Sequence, residues 1–143
     1  MPTSEDALSQ DPDVVVVGAG PCGLAAAISL GRAGFRTVVV DAECVVSSIT
    51  QYPTYATFFS TAEKLSLGGL PFVISEAKPT RRDALTYYRA VVQHFHLTVR
   101  QLERVEAIEG SAPHFTVRTR RRGGEEGRIA CRAVVVATGY WGS

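Results

Sequence analysis

The chain has 143 residues, 45% of them hydrophobic, and its 15 basic and 14 acidic side chains leave a net charge of +1. That length suits a single domain burying roughly two-thirds of its unfolded surface, and the apolar share excludes a disordered chain. The near-neutral balance excludes the basic footprint of a dedicated nucleic-acid binder, and no apolar run approaches the roughly 20 residues that span a bilayer.

Met1 to Pro12 is polar and acidic, unlike a secretory signal, and is expected to fray as a disordered tail. Asp13 to Val17 is β-branched and apolar on both faces, as a central parallel strand would be. Gly18 to Gly23 (GAGPCG) breaks that strand, and Leu24 to Leu30 predicts a helix stopping near Gly31 to Gly34. Phe35 to Val40 predicts a second buried strand ending at Asp41, so the start of the chain is a right-handed βαβ unit. Cys44 to Ala77 reads as irregular, with a short helical turn over Thr61 to Leu65. Thr80 and Asp83 form a capping-box variant before an amphipathic helix over residues 80–95, its apolar side being Ala84, Leu85, Tyr88, Val91, Val92 and Phe95. A short strand over Leu97 to Gln101 follows. Arg104–Glu109, His114–Arg120 and Gly127–Cys131 then predict a β-meander with turns at Gly110 and Gly123-Gly124. Ala133 to Ala137 returns to the buried parallel type and runs into Thr138-Gly139. The fold class is therefore α/β: a Rossmann-like parallel sheet with a three-stranded antiparallel β-meander.

Gly18-Ala-Gly20-Pro-Cys22-Gly23 is a GxGxxG sequence, which alone is weak but here follows a strand and opens a helix. Gly18 permits the tight turn, Gly20 lets backbone approach a pyrophosphate, and Gly23 lets the helix pack on the sheet. Asp41, at the end of the next strand, would accept hydrogen bonds from a ribose, and its charge argues against a 2′-phosphate. Thr138-Gly139 ends a strand at the carboxyl edge, where open α/β sheets bind ligands.

Cys22 has two readings: a small residue for helix–sheet packing, or a thiol that a helix N-terminus favours as thiolate. The three cysteines, Cys22, Cys44 and Cys131, form no CxxC, give no disulfide framework or metal pattern, and fit a reducing cytoplasm. His94 and His96 have no ligand cluster beside them, so no metal site is expected. Arg118, Arg120, Arg121 and Arg122, with Glu125 and Glu126, read as a solvated turn. Tyr52, Tyr55, Phe58 and Phe59 are either a satellite core or a wall for a flat ring.

GAGPCG, VVVDAE, Tyr52-Pro-Thr, Thr57 to Thr61 (TFFST), Glu76 to Thr80 (EAKPT) and Val134 to Tyr140 together resemble the bacillithiol-disulfide reductases. These are thioredoxin-reductase-like flavoproteins with two dinucleotide-binding domains. The resemblance runs from about residue 13 to Tyr140, and TFFST and EAKPT are far more specific than GxGxxG. It implies a bound FAD, reduction by NADPH and electron delivery to a small-molecule thiol disulfide. By position, Gly18, Ala19, Gly20, Pro21, Cys22 and Gly23 would hold the FAD pyrophosphate, and Asp41 with Ala42 the adenosine ribose. Val105 would face the adenine through its backbone, and Thr138 and Gly139 would make the later FAD contact. Cys22 matches the cysteine proposed to be redox-active in the family, which tilts its reading toward a redox role.

Asp41 departs from the family's usual Glu, a longer acid. The resemblance also implies that residues 13–143 form an incomplete FAD-binding domain, with the NADPH-binding domain absent from this chain. NADPH is thus expected only in a complete protein. A cytoplasmic enzyme part without nucleic-acid or membrane partners is the expectation, and a homo-oligomer is compatible with it. Two other readings stay open: the NAD-binding domain of a dehydrogenase, and a non-catalytic remnant acting as a binding module.

Overall fold

The structure is a computed structural model that describes residues 11–76 and 78–139. The expected tail falls almost wholly outside these residues, as do Ala77 and Tyr140 of the resemblance strings.

Among the described residues, seven strands and four helices follow in chain order. They are β1 (Val14–Val17), α1 (Pro21–Arg32), β2 (Thr37–Val40), α2 (Ser47–Thr50), α3 (Ala62–Leu65) and α4 (Arg81–His94), then β3 (Thr98–Arg100), β4 (Glu103–Ser111), β5 (His114–Arg121), β6 (Glu126–Cys131) and β7 (Ala133–Val136). A four-stranded parallel sheet has the order β3-β2-β1-β7, and β4-β5-β6 is a separate antiparallel sheet. The central strands β1 and β2 lie between two apolar layers, as side chains alternating across a strand require. By contrast β7, expected to be of the buried type, is the edge strand of the described sheet and leaves Val136 64% exposed. Val16 and Val39 meet Leu24, Ala27 and Ile28 of α1 and Ala84, Tyr88 and Val91 of α4. Val15 and Val40 face the other way, onto Val117, Ile129 and Cys131 of the meander. The molecule is therefore layered: helices, parallel sheet, meander.

Helix α1 starts three residues before the apolar run, at Pro21, whose fixed φ suits the first helical position. It ends where Gly34 takes φ +91°, the left-handed conformation that closes helices. In α4 the capping box is complete: Thr80 Oγ1 accepts from Asp83 N–H, and the Asp83 carboxylate accepts from Thr80 N–H at 2.9 Å. The buried face includes Tyr87, which periodicity alone did not select. Tyr87 stacks on Phe72 at 4.2 Å, and its hydroxyl donates to Leu70 O and accepts from Leu67 N–H, both at 2.7 Å. Tyr88 donates to Leu65 O at 3.1 Å. These phenols pin the irregular segment onto α4 by satisfying its carbonyls, the usual role of a buried ring with a polar tip.

Two sequence expectations need correction. The segment after Asp41 contains α2, a single turn too short to leave a periodic signal. Gly110 is not the meander's first turn but lies within β4 at φ +93°, where a Cβ would come within 2.3 Å of His114 O; the chain reverses between Ser111 and His114. Gly123 and Gly124 do mark the second turn, between β5 and β6. The arginines there are ion-paired: Arg120 with Glu106 and Glu126 at 2.7 Å each, Arg118 with Glu109 at 2.9 Å, Arg122 with Glu43 at 2.7 Å. Exposed pairs of this kind are worth little each, and they describe a solvated surface. Phe58 packs on the helical core and meets Tyr52 at 5.8 Å, whereas Tyr55 and Phe59 are 93% and 98% exposed. The four aromatics thus do not form one satellite core.

Burial, reinforced by Tyr87 nearby, pushes the Tyr88 hydroxyl up to about 12 from an ordinary 10. The folded state then keeps this proton while the unfolded chain releases it, so stability falls as pH rises from about 10 toward 12. Tyr88→Phe should flatten that alkaline decline while costing about 0.5–1.5 kcal/mol at neutral pH through the lost hydrogen bond. Urea midpoints across pH 7–11 check both expectations.

Candidate functional site

The four parallel strands end together, with Val17, Val40, Arg100 and Val136 in register along one edge of the sheet. Whatever follows each strand is therefore gathered at that edge: Gly18, Asp41, Gln101 and Ala137. The turn after β1 is shaped by two glycines that have no room for a side chain. Gly18 takes φ +111°, donates its N–H to Val40 O at 2.9 Å, and a Cβ there would lie 2.3 Å from Ala137 O. A Cβ on Gly23 would lie 1.9 Å from the carbonyl oxygen of Gly18. The first turn of α1 thus rests directly on the Gly18 carbonyl, just past the end of β1.

Gly20 is different. Its backbone is extended (φ −81°, ψ −178°), a conformation any residue adopts, and an added Cβ would meet nothing within 4 Å. The space beside it is open. No side chain caps α1, so the N–H groups of its first turn, which have no carbonyl one turn earlier, point toward that space. This cradle, with its positive dipole end, fits an anionic pyrophosphate.

Asp41 reaches into the same turn. One carboxylate oxygen accepts from Ala19 N–H at 2.7 Å and the other from Glu43 N–H at 2.8 Å. Each oxygen keeps lone-pair capacity for a further donor such as a ribose hydroxyl. Ala19 is fully buried, and its carbonyl accepts from Val46 N–H at 2.9 Å. Val46 is itself fully buried and holds φ +49°, an uncommon and costly conformation for a β-branched residue. Sequence reasoning missed this second brace on the turn, because nothing in a valine announces a left-handed backbone.

The edge therefore collects Gly18, Ala19, Gly20, Pro21, Cys22, Gly23, Asp41 and the half-buried Ala42. Thr138 lies against Gly18, its N being 3.2 Å from where a Gly18 Cβ would be, and Gly139 follows with φ +81° in open space. Val105 stands apart in β4, where the register with β5 shifts between Val105 and Ala107, and its side chain packs under the meander. Glu103, two residues before it, is tied to the edge: its N–H donates to Asp41 O at 3.0 Å. Glu103 is a second residue that sequence reasoning missed. Its signal was available: an acid two positions before Val105, on the face the meander buries.

Cys22 is exposed, as is Cys44. Cys131 is buried, and that burial pushes its thiol up and away from thiolate. Among the described residues no group of three or more His, Cys, Asp or Glu could hold a metal ion, and no helix is long and apolar enough to cross a membrane.

The glycines make an asymmetric stability prediction. Gly23→Ala must displace backbone and should cost roughly 3 kcal/mol, the upper range for overpacking. Gly20→Ala should stay within about 0.5 kcal/mol of the parent chain. Denaturant midpoints of the two variants check the contrast.

Residues 15–143 match the family described as pyridine nucleotide-disulphide oxidoreductase. Bacilliredoxin reductase Bdr of Bacillus subtilis is 48% identical over 79 residues, which are 55% of this chain and 24% of that protein. The solved bacillithiol disulfide reductase Bdr of Bacillus cereus superposes with TM-score 0.88 at 43% identity, covering 92% of this chain and 40% of that one. The enzyme of the same name from Staphylococcus aureus gives 0.86 at 42% identity, covering 93% and 40%. The chain thus spans from a quarter to two-fifths of the length of these relatives.

Proposed function

This chain belongs to the pyridine nucleotide-disulphide oxidoreductase family, and we propose that residues 13–143 are the FAD-binding part of a flavin-dependent NADPH:disulfide oxidoreductase. The observation that carries this reading is the contrast among the glycines. Of the three glycines of this turn, Gly18 and Gly23 are closed against backbone and Gly20 faces open space, beside Asp41 and an uncapped helix start. The pyrophosphate would lie against Gly20 and the first turn of α1. Asp41 would take the adenosine ribose, Val105 the adenine through its backbone, and Thr138 with Gly139 the later contact.

Bound FAD would supply a two-electron carrier to be reduced by NADPH, which would bind outside residues 13–143 in a complete protein. The substrate is then the disulfide of a low-molecular-weight thiol, as the names of the bacillithiol disulfide reductases suggest. Cys22 is the candidate to exchange with it. Its thiolate would attack one sulfur, form a mixed disulfide and release the other half as a thiolate. The exposed position of Cys22 in the first turn of α1 supports that role.

Titration of the chain with FAD, NAD and NADP should show FAD binding tightest, and Gly20→Val should abolish that binding without loss of fold. The extended backbone at Gly20 suits valine, so only an incoming ligand would meet the side chain. Tighter binding of NAD than of FAD would instead make this a dehydrogenase domain. Thiol alkylation offers an independent check. Cys22 and Cys44 should react in the folded chain and Cys131 only on unfolding, and FAD should slow Cys22 selectively. Equal rates at Cys22 with and without saturating FAD would place that thiol away from the cofactor.

A further inference from the structure

Glu103 opens β4 with 2% of its surface exposed. Its Oε1 accepts from Arg100 Nη2 at the end of β3 and from Arg121 Nε in β5, each at 3.0 Å, while Oε2 is buried and has no partner among the described residues. Burying a carboxylate is costly, and an unpaired oxygen adds to the cost, so this arrangement is a poor way to gain stability. What it holds is more informative. Asp41 N–H donates to Arg100 O at 3.0 Å, and Asp41 O accepts from Glu103 N–H at 3.0 Å. The two residues that grip Asp41's backbone from either side are therefore the two joined by the Arg100–Glu103 ion pair. The loop closes on itself around one residue.

The neighbouring bonds run the same way. Leu102 N–H donates to Glu43 O at 3.1 Å, and Val45 N–H donates to the Gln101 side-chain carbonyl at 2.9 Å. Residues 100–103 thus lie along residues 41–45, and Arg121 joins that pairing to the meander. We propose that Glu103 is a positioning residue for Asp41, and that the Arg100–Glu103–Arg121 cluster sets the nucleotide site's preference for ribose over deoxyribose. This rests on the reading in which Asp41 accepts the ribose hydroxyls. Hydrogen-bond strength falls steeply with a few tenths of an ångström of misplacement, so selectivity is lost before the fold is.

The test uses ADP, the adenylate half of FAD, and 2′-deoxy-ADP as calorimetric ligands of this chain. The parent should bind ADP about 10-fold more tightly, one charge-assisted hydrogen bond's worth. Glu103→Gln keeps the shape but removes the charge, and should bring that ratio below about 3-fold, with Asp41→Asn then costing little more in its background. Arg121→Gln, at a half-exposed position, should lower the ratio in the same direction and serves if Glu103→Gln does not fold. A ratio that stays at the parental value in the folded variants, with both ligands weakened alike, overturns the proposal and makes Glu103 structural only. A parent chain that binds both ligands equally fails earlier, at Asp41, and overturns the ribose reading itself.

Discussion

The contact between the Gly18 carbonyl and Gly23 governs the rest of the molecule. With no side chain between them, the first turn of α1 sits on the Gly18 carbonyl just past the end of β1, closer than any Cβ would allow. That approach fixes where the helix starts, and hence where its free N–H groups point. It also leaves Leu24, Ala27 and Ile28 facing Val16 and Val39 without a gap. Dense interiors transmit such constraints, so a methyl group at this one point would be felt throughout the helical layer.

A second arrangement grows from the first. Because the strands are parallel and in register, their ends converge, and Asp41 becomes the meeting point of three elements. Its carboxylate braces the glycine turn, its N–H is held by β3, and its carbonyl is held by the start of β4. The meander thus does more than cover the sheet's second face. Through Glu103 and Arg121 it is anchored at the same edge at which the turn and the acid meet.

The sequence made the local parts of this legible. Four consecutive valines, a glycine turn and an acid at the next strand's end are short-range patterns, and each had the structural context that gives it meaning. The capping box at Thr80 and Asp83 was equally readable, since both partners lie within one helical turn. What escaped were long-range satisfactions of polar groups. Tyr87 looks like a surface residue until the carbonyls of residues 67 and 70 are brought to it. Glu103 sits on the face the meander buries, but the two arginines that close on it come from different sheets and leave no local pattern in the sequence. Val46 gives no hint of its left-handed backbone, because that is imposed by its hydrogen bond to Ala19 and by its burial. Glycine most often marks a turn, which makes Gly110 read as one, whereas here it allows close cross-strand approach.

The position of β7 bears on how the chain is made. It pairs with β1, so the first and last described strands are neighbours, β7 forming the edge of the described sheet beside the buried β1. During synthesis β1 can dock on β2 early, but its other edge stays open until everything from α2 to the meander has emerged. A bare tetravaline edge is a template for pairing with other chains. Asp13, immediately before β1, places a charge at its entrance, and the Arg36 N–H it accepts at 2.8 Å ties that charge to the start of β2. The strand most exposed to misassembly during translation thus carries its own gatekeeper, fastened before the partner strand exists.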